Sequence, residues 1–125
     1  MLKDKIRAAE DIKKEPIYIP EWDTTIEVRT MSGSQRADIM SKAVVGGVVA
    51  LDKLYAQLAL SCTYDPETGD KLLDPSDLDW FMEKNSAPIE RIAAKAMELS
   101  GLSAAAVREI EKNSGKGRKG SSTSN

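Results

Sequence analysis

The longest apolar-periodic run of the chain lies at residues 44–62, VVGGVVALDKLYAQLALSC. Within it Val44, Val48, Leu51, Tyr55, Leu58 and Cys62 recur at steps of three and four. That spacing marks one face of an α-helix; Val45, Val49 and Ala59 widen it, and Asp52, Lys53 and Gln57 fall outside it. The run predicts a central core helix, entered from residues 34–43 through a Ser32 or Ser34 cap. Gly46-Gly47 is the place where this helix kinks or restarts, because a glycine costs about 1 kcal/mol against alanine inside a helix.

Before this run the period changes. Residues 2–14 are rich in helix formers and predict a short amphipathic helix, with Leu2, Ile6 and Ala9 on one face and Pro16 as its stop. Residues 16–20 and 24–31 alternate in steps of two and predict strands joined by a turn that carries Trp22. A lone hairpin is marginal in water, so it must dock on helices, through Ile17 or Ile19, Ile26 and Val28.

After Cys62, the segment Tyr64-Asp-Pro-Glu-Thr-Gly-Asp reads as a glycine-containing turn between short extended pieces at 63–64 and 71–73. Asp74 followed by Pro75 opens a helix with Leu78, Phe81 and Met82 on its apolar face and Trp80 at the rim. Asn85 caps the next helix, where Ile89, Ile92, Ala93, Ala96 and Leu99 are in register and Gly101 is the stop. Ser103 caps a last helix over 104–112. Residues 114–125 hold only Gly, Ser, Thr, Asn and basic side chains, and predict a disordered basic tail. The expected fold class is mainly α: a small helical domain over residues 1–113 with an N-terminal β-hairpin.

Composition narrows the chemistry. The 125 residues fit one domain and contain no histidine and a single cysteine, Cys62. The commonest general base and transition-metal ligand is therefore missing, as is any Cys–His pair. The chain is expected not to be an enzyme and to need no cofactor or metal. Seven acids between residues 63 and 85 (Asp65, Glu67, Asp70, Asp74, Asp77, Asp79, Glu83) face only Lys71 and Lys84. They invite a calcium-loop reading, but counted from Asp65 the glycine and terminal glutamate of an EF-hand fall on Asp70 and Ser76. Net charge is −2, with the tail carrying +3 and the remainder −5. An acidic body with a short basic end is not the footprint of a dedicated nucleic-acid binder. With no apolar run of membrane-spanning length and no signal-peptide core near the start, cytosolic residence and a buried thiol are expected.

The order of parts then carries a resemblance. Ala-Ala-Glu-Asp-Ile-Lys is followed by Pro-Glu-Trp-Asp, Ile-Glu-Val-Arg and Met-Ser-Gly-Ser-Gln-Arg. Next come Leu-Ala-Leu-Ser-Cys, Asp-Pro-Ser-Asp-Leu, Lys-Asn-Ser-Ala-Pro-Ile-Glu-Arg-Ile and Leu-Ser-Gly-Leu-Ser. Over residues 5–113 the chain resembles the tail assembly chaperones of long-tailed phages and prophages. The resemblance implies a non-enzymatic protein that binds the tape measure protein and keeps it soluble while subunits of the major tail tube protein assemble. It further implies residence in the host cytoplasm, absence from the mature virion, and in many members a longer frameshift product; self-association is compatible with it. No catalytic residues carry over.

An acidic, mostly helical body suits a protein that covers another chain's apolar helix, and the residues expected at such a surface are Trp22, Met40, Trp80, Phe81 and Met82. For Phe81 and Met82 a place in the core is an equal expectation. The runner-up function is a DNA-binding helix-turn-helix over residues 92–112. Against it, Met97 stands where such motifs take a small residue, Ala104–106 begin the would-be reading helix, and Glu109 and Glu111 oppose phosphate.

Overall fold

The computed structural model describes residues 1–102. Two strands, β1 (Lys14–Ile19) and β2 (Thr24–Arg29), form an antiparallel hairpin that pairs Lys14 with Arg29 at one end and Ile19 with Thr24 at the other. A third strand, β5 (Thr63–Tyr64), pairs with Glu27 and Val28 to give the order β1-β2-β5. Ile19, Ile26 and Val28 point inward and are buried, as their alternation predicts. Pro16 faces Glu27 on the outer strand, an edge position where a missing N–H is tolerated.

The helices are α1 (Leu2–Ala8), α2 (Gly33–Ala43), α3 (Leu51–Cys62), α4 (Leu78–Phe81) and α5 (Ser86–Leu99), with a 3₁₀ turn at Pro75–Asp77 before α4. α5 packs on β1 and β2 with one side and on α3 with another, and α3 in turn packs on α2. The shared interior gathers Ile39 and Ala43 from α2, Leu54, Leu58 and Cys62 from α3, and Ile89, Ile92, Ala96 and Met97 from α5. Leu99 is half-buried against it.

Sequence-encoded caps set the helix starts. Ser32 forms a reciprocal capping box with Gln35. Asp74 caps the 3₁₀ turn in a box with Asp77, with Pro75 at the first position. Asn85 accepts from the Ala87 amide and starts α5. Gly101, at φ 80°, ends α5 in the left-handed conformation and brings the Leu102 amide to the Met97 carbonyl at 2.7 Å.

Two expectations are corrected. The fold is mixed α/β rather than mainly α: about half of the described residues are helical and 19% are in strands. The single central helix from residue 44 does not form. Val44–Val45 (β3) and Val48–Val49 (β4) pair instead as a miniature antiparallel hairpin around Gly46 and Gly47. Their φ angles of 59° and 80° supply the two left-handed positions of a tight hairpin turn, and β-branched valines on either side favour the extended state. The four valines read as helical because their spacing fits either period. Only Val49 is buried, while Val44 and Val45 are exposed. α3 begins at Leu51, still with Leu58, Ala59 and Cys62 inward.

The N-terminal helix is also shorter than predicted, ending at Ala8, and none of its residues is buried. The acidic loop after Tyr64 is the glycine turn the sequence predicts. The Gly69 amide donates to the Asp65 carbonyl at 2.7 Å, Gly69 has φ 80°, and Tyr64 bridges Lys71. The expected helix at 104–112 and the tail at 114–125 lie outside the described residues.

Candidate functional site

An apolar groove of about 370 Å³ opens where the hairpin tip, the segment after the acidic turn, and α4 meet. Trp22, Thr24 and Ile26 come from the hairpin, Thr63, Leu72 and Leu73 from β5 and its return, and Trp80, Phe81 and Lys84 from α4 and beyond, over a floor that includes Ile92 of α5. Each wall has a local cause.

The tip is a tight turn in which the Trp22 amide donates to the Ile19 carbonyl at 3.1 Å and the Asp23 amide to Pro20 at 3.2 Å. Asp23 adopts φ 47° there, and its carboxylate accepts the Tyr18 hydroxyl proton at 2.7 Å. Glu21 beside it accepts two hydrogen bonds from the Arg91 guanidinium, at 2.9 and 3.0 Å, clasping the turn to α5. The Arg91 hydrogen bonds hold the Glu21 carboxyl down at about 2.

On the opposite wall the rings form a chain. Phe81 is buried, with Trp22 and Trp80 each 6.1 Å away between centroids, tilted at 58° and edge-on at 83°. Trp80 is 50% exposed, and its indole N–H donates to Asp77 at 2.9 Å, which fixes the ring at the rim. Leu72 is also exposed. Beyond it an adjoining hollow carries Asp65 and Glu67, so the apolar surface has an acidic border.

Of the five residues singled out from sequence, Trp22, Trp80 and Phe81 meet in this groove, with Phe81 as its buried support. Met82 is exposed and turns to a second, more polar hollow shared with Leu78, Ala56 and Lys53. Met40 is elsewhere: half-buried against the core, it borders a small void of about 20 Å³ among Met31, Ile39, Leu54 and Met97. Sequence reasoning missed Thr24, Ile26, Leu72 and Leu73 as groove residues. The one signal for Leu72-Leu73 was an apolar pair directly after a glycine turn. The helix-turn-helix reading cannot be drawn on this fold, since its second helix lies outside the described residues.

Two carboxylates of the acidic stretch, Asp65 and Asp74, serve the backbone. Asp65 accepts from the Glu67 amide at 2.8 Å and Asp74 from Ser76 at 2.8 Å. Cys62 is fully buried, and burial pushes its thiol up to about 11. Among the described residues no helix is long and apolar enough to cross a membrane.

The fold has a counterpart among solved structures. The structure of the bacteriophage HK97 tail assembly chaperone matches it with a TM-score of 0.57, over 78% of this chain and 96% of that one, at 13% sequence identity. At that identity the likeness is one of fold. No family model matches the sequence, and neither does any curated protein.

Proposed function

We propose that the protein is a phage tail assembly chaperone, without enzymatic activity, whose Trp22–Trp80 groove holds an apolar helix of the tape measure protein. The carrying observation is an open aromatic groove on a fold shared with a tail assembly chaperone. Two indoles on a buried phenylalanine form a rigid apolar platform, suited to the side chains that an amphipathic helix projects from one face. The bound helix stays soluble in the host cytoplasm until subunits of the major tail tube protein assemble around it, and the chaperone is absent from the finished virion.

Co-expression with the tape measure protein tests this. Wild type raises the soluble yield of the tape measure. Trp80→Ala, whose ring is half-exposed, stays folded with a modest loss of stability and weakens binding by roughly thirtyfold, the about 2 kcal/mol of a central aromatic anchor. Trp22→Ala weakens it similarly, with melting measured alongside because that ring also packs on the core. A wild-type protein that neither binds nor solubilises the tape measure refutes the assignment. Two folded variants that bind normally move the surface elsewhere.

A further inference from the structure

Acids of residues 63–85 stand around the groove. Asp65 and Glu67 line the hollow that continues it past Leu72, and groove and hollow share Thr24, Ile26 and Leu72 in their walls. On the opposite wall Asp77 and Glu83 lie three residues before and after Trp80, within one helical turn of it. Among the described residues none of these four carboxylates has a cationic partner.

The nearest arginines are engaged elsewhere. Arg29 pairs with Glu27 at 2.9 Å, donates to the Gly69 carbonyl at 3.1 Å and lies over the Tyr64 ring. Arg91 is held by Glu21. That leaves Lys84, in the groove lining, and Lys71, on the return of the acidic turn. Two of the acids are also fixed in place, Asp65 by the Glu67 amide at 2.8 Å and Asp77 by the Trp80 indole at 2.9 Å. A carboxylate accepts more than one hydrogen bond, so each still has room for a cation.

An apolar floor inside an acidic rim discriminates among helices. A wholly apolar helix covers carboxylates and gives nothing in exchange, and an acidic one is repelled. We propose that the occupant of the Trp22–Trp80 groove is a basic amphipathic helix, with an aliphatic stripe on the indoles and Leu72 and lysine or arginine beside the stripe facing the acidic rim. This rests on the groove being a helix seat, as proposed above, and adds the charge of the helix it takes. Lysine and arginine suit the geometry, because their aliphatic stems lie along apolar surface while their heads reach the rim. The same charges steer the encounter toward a basic partner.

Trp22 and Trp80 are the only tryptophans of the chain and both line the groove, so their fluorescence reports its occupancy. The probes are two synthetic tryptophan-free helical peptides of about five turns. They share one leucine stripe and differ only in its flanks, lysine in one and glutamate in the other. The full-length protein binds the lysine peptide at least about tenfold more tightly, and the difference narrows as salt is added. Asp65→Asn/Glu67→Gln/Glu83→Gln, which keeps an acceptor at the turn, reduces that preference about threefold or more. Asp4→Asn/Glu10→Gln/Asp11→Asn removes as much charge from exposed residues outside the groove lining and leaves the preference intact.

Equal affinities for the two peptides overturn the proposal, as does a preference that survives the rim variant. Equal affinities that both fall with Trp80→Ala leave the helix seat standing and remove only its charge selectivity. No fluorescence response to either peptide, with the tape measure still solubilised in co-expression, overturns it while the chaperone role stands. A preference missing from wild type and present in Lys116→Gln/Arg118→Gln/Lys119→Gln overturns it too, and assigns the acidic rim to the chain's own basic segment.

Discussion

Trp80 and Phe81 are consecutive aromatics on α4 with opposite roles. The helical turn of about 100° per residue sends Phe81 into the core, 3% exposed, and leaves Trp80 at 50%. Truncating Phe81 to alanine removes a buried ring that supports both indoles and opens a cavity beneath the groove. Urea unfolding of Phe81→Ala should show a loss of about 3–5 kcal/mol. For Trp80→Ala the loss should be below about 1.5 kcal/mol, because half of that ring is already in water and its one hydrogen bond, to Asp77, is exposed. Equal losses would mean that the two rings share the core.

At the scale of elements, the Gly46-Gly47 turn decides where α3 begins. A cap of ordinary type is missing at its start: Ala50 has no side chain to accept from the first turn, and the Ala50 amide instead donates to the Ala43 carbonyl across the small hairpin at 2.9 Å. The hairpin therefore joins α2 to α3 and serves as the helix boundary. Nothing crowds a Cβ at Gly46, so the cost of substitution there is conformational. Gly46→Val should lower stability by about 1–2 kcal/mol, since a β-branched residue resists φ near 59°. Gly46→Asn, which tolerates that region, should stay within about 0.5 kcal/mol in the same unfolding experiment. A valine variant as stable as wild type would show that residues 44–49 can join the helix after all.

For the molecule as a whole, one ion pair ties the hairpin tip to α5 and so holds one groove wall against its floor. Folded, the Glu21 carboxyl sits at about 2 against its ordinary 4.5, so the folded state binds that proton more weakly than the unfolded chain. The contribution is complete above pH 4.5 and is lost as the pH falls through about 2. The stability difference between wild type and Arg91→Met, measured by chemical unfolding, should be constant from pH 7 to about 5 and shrink steadily below that. A gap that persists at pH 2 would assign the Arg91 contribution to packing of its aliphatic stem. At the other end of the sheet, Lys95 of α5 pairs with Glu15 of β1 at 3.1 Å and Thr30 donates to the Leu99 carbonyl at 3.3 Å, so sheet and helix are fastened at both ends.

What the sequence alone determined was local: the caps at Asp74 and Asn85, a serine cap before α2 that the structure places on Ser32 rather than Ser34, the glycine stop at Gly101, and the inward face of the N-terminal hairpin. Each depends on side-chain chemistry or a period within a few residues. Tertiary structure decided the rest. Valines at 44–49 satisfy both a helical and an extended spacing, and only the double left-handed turn with its paired strands selects the second. Thr63 and Tyr64 read as a short extended piece from sequence, but only the free edge of β2 pairs them, and that pairing turns a hairpin into a sheet and the fold into a mixed one. The groove follows the same rule. Trp22 and Trp80 were visible as large aromatics at element edges, but Leu72 joins them only because the acidic turn folds back on Tyr64. Met40 carries the same apolar character and falls among packed methionines, since burial depends on which neighbours the chain brings together and not on the residue itself.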